Sequence, residues 1–365
     1  MSIQISNESS NPKYVDGQKI KNDFHGIICK TSAVLFKLTA VVITSVLSIA
    51  IVLMGIIWVF EKGPSESLTS AFCRSVRETS AVRWLSTIYL SDEELQKYLT
   101  EKTESIKTER VDASFIHIDE KRDDDDDESV QLIDITMGTA KGKLLIVKDP
   151  KSVRLGTSDN FGILPGLQLT ELVAKYGGIA GINAGGFNDE NGYGDGGKPQ
   201  GLVIDDGVIT WGNPYNLYSV IGIDYDGILH VETVTGLTAI NEGIRWGVSF
   251  VTHDGQASSL IINGKIQTWN MGSGVNPRTA LGQRKDGALL LLVLDGRSIN
   301  TLGATMEDIC NVMLEYGAWN VGNLDGGSSS VMVYDGEIVN HCASVTGPRM
   351  IPTAFIVLDG GNEID

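Results

Sequence analysis

Cysteine, proline, histidine and positive charge are all scarce in this sequence, and each shortage removes a class of protein. Four cysteines in 365 residues do not make a disulfide scaffold. Cys73, Cys310 and Cys342 share one side of the main hydrophobic run, and either a pair or buried free thiols suits their positions. Nine prolines and the lack of a Gly-X-Y period exclude a collagen-like chain. With 29 Lys+Arg against 46 Asp+Glu, the formal net charge of −17 leaves no basic face for tracking phosphates, so no nucleic-acid partner is expected. His117, His230, His253 and His341 are not at close metal-ligand spacings. His253, beside Asp254, reads as a turn histidine, with a place in a site as the alternative. No G-x-S-x-G elbow is present, and Ser328 to Ser330 have no evident base. Glycine is the exception at 42 residues, the mark of a turn-rich globular fold.

Charge is also missing from Leu38 to Phe60. At about 1.5 Å per residue this helix would span roughly 34 Å, enough to cross a ~30 Å hydrocarbon core. A signal peptide has a shorter apolar region and a shorter leader, and a core helix would carry a polar stripe. Lys13, Lys19, Lys21, Lys30 and Lys37 precede the run. The positive-inside rule therefore favours a cytoplasmic N-terminus and an outer C-terminal region. The expected organisation is a cytoplasmic tail (1–37), a transmembrane helix (38–60), an extracellular stalk with an acidic loop (61–129) and a single sheet-and-helix domain (130–365).

Within the stalk, Ser91 with Glu94 reads as a capping box opening a helix that runs towards residue 110. VDASFIHID (111–119) has the composition of a strand. The run Lys121 to Glu128 contains five consecutive aspartates, which repel one another and read as a solvated loop rather than a calcium site. From Val130 onward short apolar runs alternate with glycine. Asp206-Gly207, Asn263-Gly264 and Asp335-Gly336 are hairpin signals. Two helical stretches, 167–178 and 304–318, each end in Tyr-Gly, and each leads into a strand with a glycine-dense end. The fold class expected is α+β: a single-span anchor and helical stalk, then one mixed sheet-plus-helix domain.

Three groups of residues carry chemistry. Gly177 to Gly201 holds ten glycines in 25 residues. Its formal G-x-G-x-x-G runs into Lys198-Pro199 rather than a helix, so it is not a dinucleotide fingerprint. It reads as a loop whose backbone approaches a ligand, with Asn183, Phe187, Asn188 and Gln200 at hand. In GVNPRTALG, the Asn-Pro turn presents Arg278 at the start of a strand, suited to phosphate or carboxylate, with a structural ion pair as the alternative. Asp295 and Asp325 each end an apolar strand. Asp-Gly occurs ten times in the chain, mostly in hairpins, but these two are not followed by a short return strand. Asp295 is expected to lead into a helix through Arg297-Ser298. Such strand-end carboxylates often line a cleft.

Taken in order, INAGGF, GVNPRTALG, LDGGSSSVMV and GPRMIPTAFIVL resemble the phosphodiester glycosidase family over roughly 130–360. The resemblance implies hydrolysis of a sugar-1-phosphodiester at the anomeric C–O bond. It places the signature on Asn183, Gly185, Gly186 and Phe187, with an inserted Ala184. Arg278 and Thr279 carry the arginine-threonine motif. Asp325, Gly326, Gly327 and Ser328 carry the aspartate motif. The late arginine falls on Arg349, where Met350 departs from the usual Arg-Pro. Asp325, Asp295 and Arg278 become the catalytic candidates; the others would bind substrate. A sugar phosphate or polysaccharide is the implied partner, beside the membrane. The resemblance names no cofactor; a metal-dependent phosphodiesterase that breaks P–O, with a divalent cation held by the aspartates, stands as an alternative, as does a non-catalytic cell-wall polysaccharide-binding module.

Overall fold

The computed structural model describes residues 17–77, 80–99, 109–118, 129–189, 194–250, 258–267, 274–296, 303–342 and 347–359. The acidic run 121–128, His253 with Asp254, and Arg297 with Ser298 lie outside the described residues. The chain forms two compact units, 1–59 and 60–365. Helix α1 (Gly17–Lys62) contains an apolar stretch, Phe36–Lys62, whose most apolar 18 residues have mean hydropathy 2.8 and no buried residue. By length and composition this helix is able to cross a membrane. Thr44 donates back to the Ala40 carbonyl at 2.8 Å, so its hydroxyl is satisfied within the helix.

The second unit begins with α2 (Glu66–Arg77) and α3 (Asp92–Leu99), which bury Cys73, Leu90 and Leu95. The capping box is present: the Glu94 N–H donates to Ser91 Oγ at 3.2 Å and the Ser91 N–H to Glu94 Oε2 at 2.9 Å. The helix is described as far as Leu99, residues 100–108 lie outside the described residues, and at Glu109 the chain is not helical. Residues 109–118 form neither its continuation nor a strand, but an extended segment around one 3₁₀ turn, Ala113–Phe115. Tertiary bonds override local propensity there. The Val111 N–H donates to Glu232, the Asp112 N–H to Asn263 Oδ1 (2.8 Å) and the His117 N–H to the Lys285 carbonyl (2.7 Å).

Seventeen strands and three further helices are found among the described residues. They run β1 (Val130–Met137), β2 (Ala140–Val147), β3 (Val153–Thr157), α4 (Leu169–Lys175), β4 (Gly178–Asn183), β5 (Val203–Asp205), β6 (Val208–Trp211), β7 (Leu217–Asp224) and β8 (Leu229–Thr235). Then come α5 (Gly236–Asn241), β9 (Ile244–Ser249), β10 (Ser259–Ile262), β11 (Lys265–Ile266), β12 (Arg278–Arg284) and β13 (Leu289–Leu294). The last are α6 (Met306–Glu315), β14 (Ala318–Asn323), β15 (Met332–Tyr334), β16 (Glu337–Ile338) and β17 (Thr353–Leu358). Three sheets result, ordered β1-β2-β13-β12-β14-β10-β11, β16-β15-β4-β17-β3 and β6-β5-β9-β7-β8.

Side-chain alternation explains how the sheets pack. Leu289, Leu291 and Val293 point into a core shared by all three sheets, while Leu290, Leu292 and Leu294 face α6. In β17, Phe355 and Val357 join the shared core, and Ala354 and Ile356 face α4. In β9, Trp246 and Val248 face inward, and a register shift against β7 between Trp246 and Ile244 interrupts the alternation and turns Ile244 outward beside α5. Each sheet is thus covered on both sides, which is why its central strands read as continuous apolar runs. The three expected hairpins have both turn residues at positive φ (Asp206 50°, Gly207 73°; Asn263 53°, Gly264 76°; Asp335 51°, Gly336 77°), as a type I′ turn requires. Capping boxes start α4 and α6, and Gly177 and Gly317 end them at positive φ.

One ion cluster ties the 109–118 segment to the sheets. His230 lies between Asp224 Oδ2 (3.0 Å) and Glu232 Oε1 (3.2 Å), and Arg110 reaches Glu232 at 2.8 Å and also pairs with Glu242. Burial opposes charge on His230, but the two carboxylates outweigh it and push the imidazole up to about 9. The stabilisation is therefore complete below the ordinary value near ~6.5 and is lost as pH rises through about 9. The midpoint of thermal unfolding should fall across that interval, and His230→Gln should flatten the fall. An equally steep fall in the variant would show that the cluster does not carry it.

Candidate active site

β4 and β14 belong to different sheets, yet their ends are joined. The Asp325 N–H donates to the Ala184 carbonyl at 3.0 Å, and Asn183 Nδ2 donates to the Asp325 carbonyl at 2.6 Å. Asn183 Oδ1 accepts from the Thr279 hydroxyl (2.9 Å) and the Val331 N–H (3.2 Å). Thr279 Oγ lies 3.1 Å from Ser330 Oγ. Asn183 and Thr279 are 1% and 0% exposed, so their side chains hold the Asp325 loop from inside the protein.

Asp325 lies within electrostatic reach of the Arg349 guanidinium and the Asp189 carboxylate. Burial pushes its carboxyl up to about 7, and nearby Asp189 raises it further. The Ser329 hydroxyl, the Arg349 charge and the Gly326 N–H act in the opposite direction. Arg349 makes a fork with Asp189 (Nη1–Oδ2 2.7 Å, Nη2–Oδ1 2.9 Å), and Nη2 also donates to the Gly194 carbonyl at 2.9 Å. Its guanidinium lies 5.0 Å from the centre of the Phe187 ring. Asp189 Oδ1 accepts in turn from the Gly194 N–H at 2.7 Å. A carboxyl that titrates near neutrality, beside a cation fixed in place, is suited to proton transfer next to an anionic group.

The remaining sequence candidates surround this centre. Arg278 is buried, and it donates to the carbonyls of Ala304 (3.2 Å) and Gly274, joining two loops at the start of β12. Asp295 accepts from the His341 N–H (2.9 Å) and Asn340 Nδ2 (3.3 Å); Asn340 also holds the Ser330 carbonyl and the Met332 N–H. Burial raises the Asp295 carboxyl against these bonds. The Gly185 N–H donates to Thr353 Oγ1 at 3.1 Å, and the Gly186 carbonyl accepts from the Gln200 N–H at 2.8 Å. The Gly327 N–H bonds the Pro277 carbonyl, and Ser328 Oγ lies 3.5 Å from Arg349. The glycines at 194–197 serve protein packing as well as any ligand: a Cβ on Gly196 would lie 2.1 Å from the Met350 oxygen, and one on Gly197 2.0 Å from that of Leu164.

Asp189, Ser329, Asn340 and Thr353 were not singled out by sequence reasoning. Asp189 adjoins Asn188 in the glycine-rich loop, but its partner Arg349 is 160 residues away, and only the fold shows the pair. Among the described residues, no group of three or more His, Cys, Asp or Glu side chains is arranged to hold a metal ion.

Comparison with known proteins bears on the same region. A family model described as "Phosphodiester glycosidase" matches residues 176–358, which include Asn183, Arg278, Asp325 and Arg349. The chain is 28% identical over 219 residues to the "SPbeta prophage-derived uncharacterized protein YomE" of Bacillus subtilis (strain 168), covering 57% of this chain and 31% of that one. It thus spans about a third of the length of this curated relative. The catalytic domain of zebrafish N-acetylglucosamine-1-phosphodiester alpha-N-acetylglucosaminidase, auto-inhibited by its pro-peptide, is similar in fold, with TM-score 0.52 and 20% identity over 64% of this chain and 85% of that one. A hypothetical protein from Synechocystis aligns with TM-score 0.43 and 15% identity over 62% of this chain and 61% of that one.

Proposed function

This chain belongs to the phosphodiester glycosidase family, and from that premise we propose that it is a membrane-anchored hydrolase acting on the outer face of the cell. Its substrate would be a sugar-1-phosphodiester in a surface polysaccharide or other glycopolymer. The observation that carries this reading is the Arg349–Asp189 fork, with the Arg349 guanidinium over the Phe187 ring, inside the matched region and near Asp325, whose carboxyl burial pushes up to about 7. Water adds to the anomeric carbon, and the C–O electron pair leaves with the phosphate oxygen. The ionised Asp325 takes the proton from water, so the products are free sugar and a phosphomonoester. A phosphate leaves readily, which lessens the need for a strong general acid. Arg349 offsets the charge on the departing phosphate. Asn183, Thr279, Arg278 and Asp295 would act by positioning: each already holds a segment of the site through the bonds described above. The backbone of Gly185, Gly186, Gly326 and Gly327, with Phe187 and Ser328, would contact the sugar phosphate.

The anchor would be the Phe36–Lys62 stretch, oriented by the lysines that precede it. The test is incubation of the detergent-solubilised chain with UDP-N-acetylglucosamine and simpler sugar-1-phosphodiesters, with and without EDTA. Free sugar released at equal rates in both conditions is the expected result. Loss of activity on chelation would place a metal in the reaction, and binding without release would favour a polysaccharide-binding module.

A further inference from the structure

A cleft of about 350 Å³ opens beside the Arg349–Asp189 fork, lined by Gly162, Ile163, Leu164, Asn188, Gly194 and Lys198 among others. Its wall adjoins the fork: Asn188 precedes Asp189, and Gly194 is bonded to both Asp189 and Arg349. Its walls are held in place. The Gly162 N–H donates to the Gly197 carbonyl at 2.7 Å, and the Asn188 N–H to that of Lys198 at 2.8 Å. Ile163 is 82% exposed and Leu164 46%, forming an apolar lip. Behind the lip Gly162 abuts the Trp211 ring, which meets Phe161 edge-on at 6.1 Å. The exposed Lys198 also lines the cleft, with no ion-pair partner among the described residues, as does Asp195.

This volume is at the small end of ligand pockets, room for one or two sugar or polyol units. Such units have apolar C–H faces and hydroxyl edges, matching a cleft that Ile163 and Leu164 line together with Asn188 and Lys198. The chain as a whole carries −17, so it repels polyanions except where a cation is presented locally. We propose that this cleft is the leaving-side subsite: it holds the sugar or polyol still esterified to the departing phosphate, with Lys198 facing the next phosphate along. This rests on the hydrolase reading above and narrows it. The substrate is then a repeating glycopolymer phosphate rather than an isolated capped phosphate.

The experiment compares kcat/KM of the full chain on two substrates. One is a sugar-1-phosphodiester whose second ester is methyl; the other is an oligomer with at least two repeating sugar-phosphate units. The expected preference for the oligomer is about tenfold. Lys198→Glu should remove most of it, a roughly five- to tenfold loss on the oligomer, while the methyl diester changes by less than about twofold. Ile163→Ser, at an exposed position, should also lower only the oligomer rate, which separates packing from long-range charge. Wild-type activity on both substrates without preference, or equal losses on both in either variant, would overturn the subsite and leave the hydrolase reading standing. No turnover of either substrate would overturn the hydrolase reading itself.

Discussion

Asp325→Asn should lower turnover of a sugar-1-phosphodiester by about 10²–10⁴-fold, the usual contribution of a positioned acid–base group. Binding of the diester, measured by calorimetry, should change little, because the amide keeps the shape of the carboxyl. The wild-type profile gives a second readout. With Asp325 working as the ionised base and titrating at about 7, kcat/KM should rise with pH through that value. Stability should move the other way. A carboxyl raised above its ordinary value near ~3.9 carries no folding penalty while protonated in both states, and a growing one as pH climbs towards 7. The Asn variant should therefore melt at or above the wild-type temperature at pH 8. A variant that melts much lower would mean that the lost activity reflects damage to the loop.

Arg349→Lys should cost about 10²-fold in kcat/KM, although the charge is kept. A lysine is unable to reproduce the two-bond fork to Asp189 together with the contact to the Gly194 carbonyl. Asp189→Asn tests the same arrangement from the other end. It removes a negative charge near Asp325 and leaves Arg349 freer to pair with it, so Asp325 should ionise at lower pH. The rising limb of the pH profile should shift to lower pH, a change that simple loosening of the loop would not produce. Because Asp189 and Arg349 act as a unit, the double variant should lose less than the sum of the single losses. Full additivity with an unmoved pH limb would show that the pair has no part in tuning Asp325.

What the sequence reveals here is mostly what adjacent residues decide. Hairpin turns at Asp206-Gly207, Asn263-Gly264 and Asp335-Gly336 depend on two residues tolerating positive φ. The capping box at Ser91 and the glycine stops after α4 and α6 are equally local. The apolar run at 38–60 is visible in the sequence for the same reason. Local pattern misleads where tertiary bonds compete. Residues 109–118 give up both helix and strand for bonds to Glu232, Asn263 and Lys285. The site is legible only in part. Asn183 and Asp325 stand out as strand-end residues, but the bond joining them spans 142 residues. Nothing local marks Asp189 as the partner of Arg349, or shows that Arg278 spends two of its donors on backbone carbonyls.

The central claim is cleavage of the sugar C–O bond. Its most direct test is hydrolysis of a sugar-1-phosphodiester in ¹⁸O-water by the full chain, followed by mass spectrometry of both products. The account predicts label in the free sugar and none in the phosphomonoester. Label in the phosphomonoester would mean P–O cleavage, and the chain would then be a phosphodiesterase whose carboxylates serve a different reaction.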